Sequence, residues 1–253
     1  MQRKGLMQGR FTMLMLVGLL VVISLAFSKP GLHSGNSTTK LSPVNKVVNP
    51  VNALLSLYDS LDLGSLGLSQ QAFNYAVSGY EKLLTEGKIK RDNVLSILDF
   101  SLSSDKKRLF VIDLSNGELI FRTYVAHGRN SGTKMATRFS NQPNSFQSSL
   151  GFYITGDVYQ GKHGMSLRLE GEEKGINDKA MERGIVMHSA EYVAESLIAK
   201  QGYIGRSQGC PALPGDIYQD VIKTIRNGSC LFVYSPDKFY ATHSVLLNHT
   251  SRT

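Results

Sequence analysis

Cys210 and His188 combine reactive side chains with the local setting that nucleophilic chemistry needs. Cys210 ends the run Gly205-Arg206-Ser207-Gln208-Gly209 and is followed by Pro211. A thiol attacks efficiently only as thiolate, so it requires a nearby base or a cationic surrounding. His188 closes the apolar run GIVMH, 22 residues upstream. A helix out and a loop back over that distance can bring the two together, with His188 taking the thiol proton. Ser189 then holds the imidazole through its hydroxyl or its carbonyl. It has a second reading as N-cap of a helix over AEYVAESLIAK. A helix expected about five residues after Cys210 would favour the anion through its N-terminus. Backbone N–H groups around Gly209 and Cys210 are candidates to bind a developing oxyanion.

Three further residues carry weaker signals. His163 and Arg168 fall in GKHGMSLRL, as cleft residues or as plain turn residues, and His127 ends a strand in AHGRN. The three histidines lack the i, i+4 helical or paired-cysteine spacing of a metal site, so no metal is expected. Cys230, in SCLFVYS, reads as a buried core residue rather than a disulfide partner.

These residues need a frame. From Lys107 the apolar period is two: RLFVIDL and ELIFRTYVA flank Asn116-Gly117, a strong hairpin signal. Further strands are expected at 151–155, 165–169, 184–188 and 230–234. Helices are expected after Ser189 and over roughly 215–226, the latter stopped by Asn227-Gly228. The polar stretch 127–150 has little pattern, and a loop of that length is usually functional or mobile. Before the strands, residues 51–100 carry apolar positions at helical spacing, with Ser69 a candidate N-cap and Gly87 a stop. The expected organisation is a helical region at 51–100, a β-rich catalytic domain at 101–236 and a tail at 237–253.

The chain opens differently. Arg3, Lys4 and Arg10 precede an apolar run over 11–27, the pattern of a signal peptide or membrane anchor in 1–28. The polar segment 29–50 then reads as a linker. This arrangement places the rest of the chain outside the cytoplasm, with membrane contact only through that N-terminal segment. The net charge of +8 falls to +5 without the three N-terminal cations. No basic stripe with interleaved aromatics marks a nucleic-acid groove.

The order of these features resembles the catalytic domain of L,D-transpeptidases, the peptidoglycan enzymes of YkuD type, and in particular a branch ending Gly-Cys-Pro-Ala-Leu-Pro. The likeness covers roughly 107–235: the opening hairpin, then Ser148-Ser149-Leu150-Gly151-Phe152-Tyr153, then His188-Ser189, then Gly205 to Cys210. Two positions depart from the usual motif. Gln208 stands where a second histidine is common, and Ala212 where an Arg or Asn is common. Arg206 or Arg168 is then left to bind a substrate carboxylate. The resemblance implies a mainly β fold, a sandwich or barrel with inserted helices. It implies Cys210 as nucleophile, His188 as base and Ser189 beside it, with Gly209, Ser207, Arg206, His163 and Arg168 as oxyanion or substrate groups. It implies peptidoglycan stem peptides as partners and no cofactor. Transfer to water instead of an amine would make a carboxypeptidase or amidase, and loss of chemistry would leave a wall-binding module.

Overall fold

Residues 94–99 (VLSILD) are buried without exception, as befits a strand covered on both faces of a sheet. In the computed structural model, which describes residues 50–248, this strand, β1 (Val94–Asp99), lies in the middle of the molecule. It runs antiparallel to β2 (Leu109–Asp113) and parallel to β8 (Cys230–Tyr234). The other strands are β3 (Glu118–Thr123), β4 (Gly151–Gly161), β5 (Gly164–Gly171), β6 (Val186–Ser189) and β7 (Ala212–Leu213). All eight form one sheet in the order β3-β2-β1-β8-β4-β5-β6-β7. The chain leaving β3 returns to the opposite edge, where Ala126 bridges Ala212 and Gly128 bridges Ser207. The sheet is therefore nearly closed, and the expected mainly β, barrel-like architecture is what the chain forms.

The β2–β3 turn follows its sequence signal. Asp113 Oδ1 accepts the N–H groups of Ser115 (2.8 Å) and Asn116 (3.1 Å), and Gly117 takes the positive φ that closes the turn. Helices α1 (Pro50–Ser60) and α2 (Gln70–Thr85) precede β1. Ser69 caps α2 as expected, its Oγ accepting the Ala72 N–H at 3.3 Å. The Ser69 N–H donates to Asp99 Oδ2 at 2.9 Å, fastening the start of the helix to the end of β1. At Gly79 a Cβ would lie 2.0 Å from the Phe152 ring, so only glycine lets α2 settle this close to the sheet.

Several boundaries differ from the sequence expectation. The stretch 51–100 is not a separate helical region: it contains β1, and α1 and α2 pack into the same core as the strands. A strand buried on both faces lacks alternation, so periodicity does not distinguish it from a buried helix. Ser189 does not cap a helix. It ends β6, and α3 (Glu195–Gln201) starts from Ala194 with no side-chain cap and no buried residue. The next helix, α4 (Tyr218–Ile225), buries Val221, Ile222 and Ile225, but β7 intervenes between it and Cys210. Its N-terminus is thus eight residues from the thiol rather than five. The tail contains α5 (Lys238–His243), whose N-cap Asp237 accepts the Tyr240 N–H at 2.8 Å. Tyr240 and Ser244 donate hydroxyl hydrogen bonds to the buried Glu173, which also accepts the Phe152 N–H at 2.9 Å. Burial pushes the Glu173 carboxyl up from its ordinary value.

The export segment and nearly all of the linker lie outside the described residues. Among the described residues, no helix is long and apolar enough to cross a membrane.

Candidate active site

The seam between β6 and β7 brings His188 and Cys210 into one neighbourhood. The two strands are parallel, with His188 opposite Ala212 and Ser189 opposite Leu213, and the His188 N–H donates to the Pro211 carbonyl at 3.4 Å. The residue bonded to His188 is therefore the direct neighbour of Cys210. The thiol donates to Gly184 O at 3.7 Å, and the Val186 N–H lies near enough to favour the charged form of the sulfur. Both partners lie on the chain entering β6, so the sulfur rests against the strand that carries the histidine.

His188 is 6% exposed. Its Nδ1 lies 2.8 Å from the Ser189 carbonyl. A carbonyl only accepts, so Nδ1 carries the proton and Nε2 keeps its lone pair. Of the two roles open to Ser189, the carbonyl holds the ring. The hydroxyl donates instead to the His163 carbonyl at 3.1 Å. His163 sits in the β4–β5 turn and its ring stacks on His188, with centroids 4.8 Å apart and planes at 26°. Burial holds the His188 pKa below its ordinary value and His163 lowers it further, while the Ser189 carbonyl opposes both. Burial pushes the Cys210 thiol up; the Val186 N–H and the Arg183 guanidinium pull the other way. Near neutral pH the pair is a neutral imidazole beside a protonated thiol. Among the described residues no hydrogen bond joins the sulfur to the ring, and such bonds often tighten only when substrate binds.

The turn before Cys210 explains its composition. Ser207 Oγ accepts the Gly209 N–H at 3.0 Å and donates to the Cys210 carbonyl at 2.6 Å. Gly209 has φ 123°, and a Cβ there would lie 2.9 Å from the Gln147 carbonyl oxygen. Any other residue would be strained and crowded. These bonds engage the Ser207 hydroxyl and the Gly209 N–H, both expected as oxyanion groups, in the turn itself. Among the described residues the Cys210 N–H has no protein acceptor, so it is the donor left for an oxyanion.

The two arginines expected at a substrate carboxylate each make contacts within the protein. Arg206 donates to the carbonyls of Arg129 (3.3 Å) and Gly132 (3.2 Å), and Arg168 lies over the Tyr159 ring at 4.6 Å. The patternless stretch 127–150 packs beneath the Cys210 turn: Ser148 Oγ donates to Gly209 O at 3.3 Å and accepts the Gly128 N–H at 3.0 Å.

Two neighbours of the thiol had no signal in the sequence. Arg183 donates to Ser140 O (2.7 Å), Gln147 O (2.6 Å) and Ser145 Oγ (3.2 Å), and also to Ser149 Oγ. Tyr192 packs over Gly205, and burial together with the nearby Cys210 pushes its phenol up to about 12. An arginine five residues before a histidine matches no motif, and the approach of both side chains depends on strand register. No group of three His, Cys, Asp or Glu residues among the described residues could hold a metal ion. A thiol, an imidazole with an open Nε2 and a free backbone donor are together equipped for acyl transfer.

Comparison with known proteins bears on the family of this chain. No curated protein matches the chain. Solved structures similar to it include an L,D-transpeptidase from Mycobacterium smegmatis, at 16% identity over 56% of this chain and 59% of that one, TM-score 0.36. Another is an L,D-transpeptidase (Yku) from Stackebrandtia nassauensis, at 13% identity over 75% and 79%, TM-score 0.34. A third is the helical cell shape determining protein Pgp2 from Campylobacter jejuni, at 12% identity over 57% and 48%, TM-score 0.37. The chain thus spans 59% of the length of the M. smegmatis enzyme. These likenesses are distant, and the assignment rests on a match of another kind. The sequence pattern of the L,D-transpeptidase catalytic domain runs along residues 65–234, from before α2 to the end of β8. Over that stretch, which includes Arg183, His188 and Cys210, the chain belongs to the L,D-transpeptidase catalytic-domain family.

Proposed function

We propose that this protein is a peptidoglycan L,D-transpeptidase that works through a Cys210 thioester. The observation carrying the reading is the His188 tautomer: Nδ1 is tied to the Ser189 carbonyl and Nε2 is open, on the strand against which the Cys210 thiol rests. Nε2 removes the thiol proton as sulfur attacks the carbonyl carbon of a stem-peptide amide. The oxyanion forms next to the Cys210 N–H. Collapse breaks the C–N bond, the proton on His188 passes to the leaving amine, and the acyl group stays on sulfur. An acceptor amine from a second stem attacks the thioester and gives its proton to His188. The new amide is the cross-link, and the thiolate recovers the proton from His188. Because the resting pair is neutral, His188 acts as a general base during attack rather than as half of a preformed ion pair. The peptidoglycan substrate and the apolar N-terminal run support a place in the cell envelope.

The test is muropeptide analysis of wall material incubated with the purified protein. New stem-to-stem cross-links that vanish with Cys210→Ala support the reading. Shortened stems without cross-links would replace it with a hydrolase, and unchanged material with an unreactive Cys210 would replace it with a binding role. A periplasmic reporter fused after residue 253 tests placement, and activity of a cytoplasm-only reporter there would overturn it.

A further inference from the structure

Arg183 sits half-buried beside the nucleophile with no carboxylate to neutralise it. The ion pairs among the described residues join Lys88 to Glu172 and Lys134 to Asp105, and neither involves this guanidinium. Its four acceptors are all neutral: the carbonyls of Ser140 and Gln147 and the hydroxyls of Ser145 and Ser149. A buried charge without a counter-ion is costly, and neutral hydrogen bonds compensate only part of that cost. The same guanidinium borders the Cys210 turn. A Cβ placed on Gly209 would lie 3.4 Å from Arg183 Nη2 and 2.9 Å from the Gln147 carbonyl that Nη2 binds. The arginine fork and the segment 140–149 thus form the floor on which the residue before the nucleophile rests. Among the described residues, Arg183 is also the cation whose charge bears on the Cys210 sulfur. His188, held neutral by burial, supplies no positive charge until it has taken the proton.

We propose that Arg183 is a positioning residue for the reaction: its fork fixes the floor under Gly209-Cys210, and its unpaired charge steadies the thiolate as it forms. This rests on the reading of Cys210 as nucleophile. The counter-ion that the guanidinium lacks at rest is the one that appears on sulfur during attack. Lysine could supply the charge but not the planar fork that reaches four acceptors. The two parts of the role are therefore separable by substitution.

The experiment measures iodoacetamide alkylation of Cys210 against pH in the full chain, with Cys210→Ala as the background for Cys230, alongside cross-linking turnover and thermal melts. Arg183→Gln should move the alkylation midpoint up by about one pH unit, as expected for loss of an opposite charge at short range. Arg183→Lys should keep the midpoint near that of the wild type while turnover falls about tenfold, from the looser floor. A folded Arg183→Gln variant with the wild-type midpoint overturns the proposal, because a purely structural role would change stability and leave the midpoint in place. Should Arg183→Gln fail to fold, Arg183→Lys decides, and unchanged turnover in it overturns the proposal. Failure of the underlying reading looks different: a wild-type Cys210 that resists alkylation at every pH, or a Cys210→Ala variant that still forms cross-links.

Discussion

His127 and His188 lie on opposite sides of the segment that carries the Cys210 turn, and both are kept neutral by burial. The segment 207–213 is bridged on one side by Ala126 and Gly128, which flank His127, and on the other by β6, which carries His188. His127 is fully buried, its Nδ1 accepts from Arg108 Nη2 at 2.8 Å, and its Nε2–H donates to Gly132 O at 3.2 Å. Burial first, and then the Arg108 charge, lower its pKa to about 4. Both of its nitrogens are occupied. His188 has one nitrogen committed to the Ser189 carbonyl and the other open. Burial is common to both rings; what distinguishes His188 is the uncommitted lone pair on its Nε2. The two cysteines divide the same way. Cys230 is wholly enclosed in β8, and burial pushes its thiol far up, whereas Cys210 is only partly covered and is raised less. Both thiols are free.

The largest effect expected from this contrast is at the nucleophile. Cys210→Ala should reduce cross-linking to background, while Cys230→Ala retains it. Retention of native turnover by Cys210→Ala would remove the basis of the comparison.

The histidines come next. His188→Ala should lower turnover about a thousandfold, within the range for loss of a general base. It should also slow thiol alkylation near neutral pH. Because the His188 pKa is depressed, the acid limb of the wild-type rate profile should fall below pH 6.5, where a free imidazole titrates. An acid limb at or above pH 6.5, or an unchanged rate in His188→Ala, would point to another base, with His163 the nearest.

His127 should register in stability instead. Unfolded, its imidazole titrates near 6.5 and takes up a proton that the folded state refuses until about pH 4. The depressed value means that stability is fully present above pH 6.5 and is lost as the pH falls through that window, by about 3 kcal/mol at pH 4. Urea melts at pH 7, 5 and 4 would show this loss in the wild type and its absence in His127→Gln. An identical loss in the variant would assign the acid sensitivity elsewhere.

The smallest effect is at Cys230, where truncation to alanine removes one buried atom. A cost of about 1 kcal/mol with unchanged turnover is expected. A fall in turnover without a fall in melting temperature would show that β8 influences the site.

Sequence by itself determined the parts of this protein whose causes lie within a few residues. Asn116-Gly117 specified its hairpin because positive φ and an Asx turn are local demands. Ser69 specified the start of α2, and the Gly209-Cys210 turn was recognisable because only glycine tolerates its backbone. The order of hairpin, histidine and cysteine was enough to suggest the family. Tertiary structure decided whatever depends on segments distant in the chain. The pairing of β1 with β8 joins residues 135 positions apart, as in Ile97↔Phe232, and leaves no periodic trace, so β1 was hidden among helical residues. The bridges that close the sheet join Ala126 and Gly128 to residues 86 and 79 positions further along the chain. Tertiary packing likewise set Arg206 on the Arg129 and Gly132 carbonyls and Arg168 over Tyr159, and it brought Arg183 under the Cys210 turn, which no spacing rule could have selected. Local backbone preference is written in neighbouring residues, but which charge faces a given sulfur is fixed only when separate strands align.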